Sequence, residues 1–126
     1  MFLILKYKNI NQNIYILIKI SIFMKYETVF IEVFGNNPVI KVLDFLITFQ
    51  LFDYSLTEIA KNSGVSYSTL QTFWDKLEKN KIVIKTRRVG KSDLFKLNTK
   101  NPAIKQLIKL DWNLIKGSEE EILITS

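Results

Sequence analysis

The 126-residue chain contains no cysteine and no histidine. Those absences remove disulfide bonds, thiol nucleophiles, imidazole general bases and the usual Cys/His zinc sites. Arginine is scarce as well. Arg87 and Arg88 are the two arginines, and they stand side by side against a background rich in Ile, Lys and Asn. A background of that kind reflects AT-rich coding, so lysine number alone says little and the arginine pair says more. The acids show no paired spacing for general acid–base work. Asp44, Asp53, Glu58, Asp75, Glu78 and Asp93 are dispersed, with no glycine-rich phosphate loop and no nucleophile–base set beside them. Asp44 is expected on a solvated helix face. An enzyme is not expected, nor a cofactor, nor a bound metal.

Apolar residues make up 48% of the chain, enough for a core and too many for a disordered tail. The core of so short a chain is modest, and helices apolar on more than one face then suggest a partner subunit. The net charge of +6 favours a polyanionic partner, either nucleic acid or an anionic surface.

Residues 1–23 read differently from the rest: FLIL, then a polar KYKNINQN, then IYILIKISIF. Lys6, Lys8 and Lys19 interrupt the segment, and its apolar runs fall short of the roughly 20 residues a spanning helix needs. No small-residue cleavage site follows them. A membrane anchor is therefore not expected. Ile14, Ile16, Ile18, Ile20 and Ile22 alternate with the period of a strand. Met24 opens a more ordinary sequence, so residues 1–23 are expected to be a dispensable extension, or to precede the natural start.

Asn37-Pro38 begins a helix running to about Leu51, with Asn37 as cap and Pro38 in the first turn. Val39, Val42, Leu43, Leu46 and Phe49 form one stripe, while Ile40, Phe45, Ile47 and Phe52 fall elsewhere. Such a helix is either central to the core or also covered by a second subunit. Asp53-Tyr54 breaks the pattern. Ser55 and Glu58 form a capping box for a short helix, Leu56 to about Asn62, ended by Gly64. Ser66 caps a third helix, Tyr67 to about Asn80. Ile82–Val89 and Leu94–Leu97 flank the turn Gly90-Lys91-Ser92-Asp93 and predict a hairpin. Asn101-Pro102 starts a last helix, expected to end at Gly117-Ser118 with a frayed tail behind it.

The segment LTEIAKNSGVSYSTLQTFWDKL, Leu56 to Leu77, concentrates the functional signal. Ala60 is small where two helices would approach, Gly64 turns the chain, and Ile59, Val65, Leu70 and Phe73 supply a small core. With Leu70, Phe73, Trp74 and Leu77 facing inward, Tyr67, Ser68, Gln71, Thr72 and Asp75 face out. This pattern resembles the helix-turn-helix of bacterial and archaeal regulators. The hairpin adds Lys85, Arg87, Arg88 and Lys91 around one turn. Paired arginines suit phosphate forks or a narrow A·T-rich groove; charge protection of an edge strand is the blander account.

FGNNPVIKVLDFL, SLTEIAKNSGVSYSTL, IVIKTRRVGKSDLFKLN and NPAIKQLIKLD together resemble the small archaeal winged-helix transcriptional regulators of the broad MarR/ArsR-like grouping. The resemblance covers about Ile31 to Trp112. It implies a mainly α fold with a small β-hairpin, a winged helix-turn-helix of three core helices plus wing, followed by a C-terminal helix. It implies a DNA-binding domain over residues 24–100 and a C-terminal helix and tail over 101–126 suited to dimerisation. It also implies a cytoplasmic homodimer that binds double-stranded DNA as a sequence-specific transcriptional regulator. The recognition helix would offer Tyr67, Ser68, Thr69, Gln71 and Thr72 to the major groove, where Gln71 suits bidentate pairing with adenine. The wing would place Lys85, Arg87, Arg88 and Lys91 on the backbone or minor groove. ArsR-type metal sensing is not implied, because its Cys and His ligands are missing. The competing reading is a winged helix that docks protein, or structured RNA, without specific DNA binding.

Overall fold

The computed structural model describes residues 12–125, with side chains for 13–118. The FLIL run and the first two interrupting lysines lie outside the described residues. The protein is mainly helical, with one small antiparallel hairpin. The elements run α1 (Gln12–Lys25), α2 (Val29–Phe34), α3 (Pro38–Thr48), α4 (Leu56–Ser63), α5 (Tyr67–Lys79), β1 (Val83–Val89), β2 (Ser92–Leu97) and α6 (Pro102–Thr125). No helix among the described residues is long and apolar enough to cross a membrane.

Helix α3 is the centre of the fold. Asn37 caps it by accepting the Ile40 N–H at 3.1 Å, and Pro38 occupies its first turn. Val42, Phe45, Leu46 and Ile47 are all buried, so neighbouring faces of the helix are covered at once. α1, α2, α4, α5 and β2 all pack on it. The chain thus covers its own central helix. The helix ends at Thr48, before Leu51; Leu51 and Phe52 are exposed in the link that follows.

Much of that cover comes from α1, which corrects the strand expectation for the isoleucine alternation. Ile14 to Ile22 lie on a helix, and Tyr15, Ile16 and Lys19 point inward at helical spacing. Alternating isoleucines are apolar on every side of a helix as well as on one face of a strand. The tertiary partner therefore decided, and it offered a helix-shaped groove. Nor does this stretch behave as a dispensable extension. Phe23 packs edge-on against Phe49 at 5.5 Å, and Tyr15 stacks at a tilt on Trp112 of α6 at 5.4 Å.

Lys19 is wholly buried, and its ammonium lies between two carboxylates. It donates to Asp44 Oδ1 of α3 at 2.6 Å and to Asp111 Oδ1 of α6 at 3.1 Å. The second oxygen of each acid is also satisfied. Thr28 Oγ1 donates to Asp44 Oδ2 at 2.9 Å, and Tyr15 Oη donates to Asp111 Oδ2 at 2.7 Å. Thr28 serves twice, since its hydroxyl also accepts the Ile31 N–H and caps α2. Phe30 lies 5.6 Å from the ammonium, at cation–π range. Asp44 is therefore not on a solvated face. Burial raises its pKa, against the lowering pull of Lys19 and the Thr28 hydroxyl. Burial also raises the Tyr15 phenol, and the Asp111 charge adds to the rise. The folded chain holds a proton on Asp44 more tightly than the unfolded chain does. Asp44 thus costs stability as pH rises from the ordinary carboxylate range through its raised pKa.

Helix α6 does not stop at Gly117-Ser118 but continues to Thr125. A single helix-interior glycine costs about 1 kcal/mol relative to alanine, which is too little to end a helix anchored by buried Ile104, Asp111 and Ile115. At 24 residues it is about 36 Å long.

Replacing Lys19 with methionine leaves two buried carboxylates facing one another. Chemical denaturation is expected to show a loss of about 3–5 kcal/mol. Adding Asp44→Asn and Asp111→Asn to Lys19→Met is expected to recover much of it. A Lys19→Met chain as stable as the parent would show that the network contributes nothing net.

Candidate functional site

The α4–α5 pair follows its sequence signals closely. Ser55 Oγ accepts the Glu58 N–H at 3.2 Å and Glu58 Oε1 accepts the Ser55 N–H at 2.9 Å, a reciprocal capping box. Gly64 ends α4 in the left-handed region at φ 74°, where a side chain would be strained. Val65 N–H then returns to the Ala60 carbonyl at 3.0 Å, and buried Ile59, Ala60, Val65 and Leu70 close the corner. Trp74 holds α5 to β2 through an edge-on contact with Phe95 at 5.2 Å.

Ser66 caps α5, accepting the Thr69 N–H at 3.2 Å. Leu70 and Trp74 are buried and Phe73 and Leu77 half-buried, which leaves Tyr67, Ser68, Gln71, Thr72 and Asp75 exposed on the other side. The candidates differ in what they have left to offer. Thr69 is half-buried, and its hydroxyl accepts from Ser66 Oγ at 2.8 Å. Thr72 spends its hydroxyl proton on the Thr69 carbonyl at 2.6 Å, so its oxygen remains as an acceptor. Ser68 Oγ lies 3.3 Å from Ser66 Oγ. Among the described residues, the Gln71 amide and the Tyr67 hydroxyl have no hydrogen-bond partner.

The hairpin packs against α5 through β1. β1 and β2 pair from Val83↔Leu97 to Val89↔Ser92, with Gly90 in positive φ at the two-residue turn. Lys85, Arg87, Arg88 and Lys91 are all exposed there. Three of the four already face acids. Lys85 Nζ lies 3.2 Å from Asp93 Oδ1, and Arg88 Nη1 lies 3.7 Å from the same oxygen. Arg87 forms a two-pronged pair with Asp53, Nε to Oδ2 at 2.9 Å and Nη2 to Oδ1 at 3.1 Å. Lys91 has no ion-pair partner among the described residues. The basic tip is thus half-neutralised by two acids that sequence reasoning treated as a pattern break and a turn residue.

The Asp93 pairing was within reach of the sequence. Once the turn is set at Gly90-Lys91, Arg88 falls opposite Asp93. The Asp53 pairing was not, because 34 residues separate Asp53 from Arg87. It depends on two tertiary features. Tyr54 exchanges both backbone hydrogen bonds with Phe95 at 2.8 Å, which sets the α3–α4 link beside β2. A bulge then shifts the β1 register between Lys85 and Arg87. Neighbours on a regular strand point to opposite faces, but the bulge lets Thr86 and Arg87 reach one carboxylate. Thr86 Oγ1 donates to Asp53 Oδ2 at 2.6 Å.

A cavity of about 480 Å³ lies elsewhere, lined by Ile16, Gln50, Lys96, Thr99, Lys105 and Ile108 among others. None of its described lining residues belongs to α5 or β1. Among the described residues no group of acids is arranged to hold a metal ion.

Hydrogen bonds from Arg87 and Thr86 lower the Asp53 pKa to about 2. A depressed carboxylate pKa contributes stability above the ordinary carboxylate range, and that contribution is lost as pH falls through about 2. A carbon-detected NMR titration of Asp53 is expected to show that low midpoint and to return to the ordinary range in Arg87→Ala. An ordinary midpoint in the parent chain would mean that the pair does not persist in solution. Comparison with known protein families, characterised proteins and solved structures found no match for this chain.

Proposed function

We propose that the chain is a winged helix-turn-helix module that binds double-stranded DNA and regulates transcription. The observation that carries this reading is the two-sided character of α5. One side locks into the core through Leu70 and Trp74, and the other exposes Tyr67, Ser68, Gln71 and Thr72 beside a basic hairpin. A helix held this rigidly presents its first two turns to a major groove at a fixed angle. Its capped N-terminus and the Ser68 hydroxyl suit a backbone phosphate. Gln71 supplies an uncommitted donor and acceptor for an adenine edge.

In this reading the hairpin is the wing. Arg88 and Lys91 neutralise backbone phosphates, and Lys85 adds to the field. Asp75 lies a turn beyond Gln71 on the exposed side, where it suits the cytosine amino group and disfavours phosphate. The long helix α6 supports pairing of two copies, which would set two recognition helices ~34 Å apart on one face of the duplex.

The test uses the full chain, because α1 is part of the core. Fluorescence anisotropy on duplex carrying the protein's own upstream region is expected to show tight binding that weakens as salt rises. Gln71→Ala is expected to cost about 1–3 kcal/mol on that duplex and little on scrambled duplex. Arg88→Ala with Lys91→Ala is expected to weaken both duplexes alike and to reduce the salt slope by about two. Absence of binding to any duplex at low salt would overturn the reading and favour a protein-docking role, for which half-exposed Tyr67 is the natural contact. Sedimentation at micromolar concentration is expected to give a two-subunit mass; a persistent monomer would remove the dimer from the mechanism.

A further inference from the structure

Asp53 receives three donors from two adjacent residues: Arg87 Nε, Arg87 Nη2 and Thr86 Oγ1, at 2.9, 3.1 and 2.6 Å. A guanidinium fork flanked by a hydroxyl suits a phosphate oxyanion as well as a carboxylate. Both residues reach one acceptor because of the bulge, so the arrangement is built into the backbone of β1. The hairpin does not need the ion pair as an anchor, since the Tyr54–Phe95 backbone pair already fastens it to the α3–α4 link.

Exposure is uneven across the pair. The Arg87 side chain is 63% exposed and that of Asp53 17%. The guanidinium therefore faces outward, with three of its five N–H donors uncommitted. The exposed guanidinium end is open to approach by an anion from solution. Arg88 and Lys91 on the same hairpin draw a polyanion to the spot.

From these observations we infer that Thr86 and Arg87 form an oxyanion subsite for one DNA backbone phosphate, and that Asp53 occupies it until duplex displaces the carboxylate. The inference rests on the DNA-binding reading and deepens it. Arg87 is not a free wing charge in the unbound chain. It becomes a phosphate contact by changing partners, and Asp53 sets the threshold for that change.

A double-mutant cycle in duplex anisotropy tests the exchange. Asp53→Asn removes the competing charge and is expected to tighten binding roughly five- to tenfold. Its salt slope is expected to match that of the parent chain, because one phosphate meets Arg87 in both complexes, whereas Arg87→Ala is expected to lower the slope by about 0.9. In an Arg87→Ala background the same substitution is expected to change little, because the subsite is gone. An equal gain with and without Arg87 would mean simple removal of negative charge and would overturn the inference, as would no gain in either.

A second arm needs no duplex. Inorganic pyrophosphate is titrated into the parent chain and into Thr86→Val while the Arg87 Nε resonance is followed. The inference expects a saturable shift in the parent, accompanied by a rise in the Asp53 midpoint, and a weaker response in Thr86→Val. An unmoved Nε resonance would overturn it. Displacement of Asp53 by pyrophosphate in a chain that binds no duplex would sustain the oxyanion subsite while overturning the DNA reading.

Discussion

One buried cation organises three helices. Lys19 enters from α1 and meets Asp44 from α3 and Asp111 from α6. Removing an ammonium and two carboxylates from water is costly, and their mutual attraction offsets the cost only when every remaining polar valence is filled. Here each carboxylate oxygen has one donor, from Lys19, Thr28 or Tyr15. Apolar packing would let α1 rotate or slide by a residue with small loss. An ammonium that must meet two carboxylates admits one rotation and one register. The network thus joins α1, α3 and α6 at named atoms and not through apolar area alone.

The network reaches the candidate site through α3. Besides α1 and α2, the central helix receives α4, α5 and β2. The α4–Gly64–α5 corner has little apolar area of its own. Ile59, Ala60, Val65 and Leu70 are buried because α3 lies beneath them. The exposed side of α5 is therefore positioned by packing on a helix that contributes nothing to that side. A surface presented in this way takes its precision from the scaffold behind it.

Charge on the hairpin shows how a composition argument changes once the fold is known. Four cations in a seven-residue span suggest a strong positive field. Asp53 and Asp93 lie among them, one from a distant link and one from the facing strand. The Lys85 and Arg88 contacts to Asp93 are exposed and screened, so each adds little stability. Their larger effect is on what the hairpin can offer: Lys91 is uncommitted, Arg88 and Lys85 share an acid, and Arg87 is held in a fork.

Local chemistry was legible wherever one element settled the matter. The caps at Asn37, Ser55 and Ser66, the left-handed Gly64, the inward and outward sides of α5 and the presence of the hairpin all follow from side chains within a few residues of each other, although the turn is Gly90-Lys91 and Ser92 and Asp93 belong to β2. The expectations that failed shared one cause, which is that their outcome depended on a partner far along the chain. Alternating isoleucines fit two periods, and only the groove beside α3 and α6 selected the helix. Asp44 reads as a surface acid until Lys19 arrives from 25 residues away. Gly117 reads as a stop until the anchored length of α6 outweighs its cost. Arg87 reads as free until the Tyr54–Phe95 pair brings Asp53 to it. The sequence by itself determined α3, α4, α5 and the hairpin, the caps at Asn37, Ser55 and Ser66, and the exposed residues of α5. Tertiary structure decided the role of α1, the burial of its lysine and the partners of the basic hairpin, because long-range charge pairing and shared burial arise only when distant segments meet.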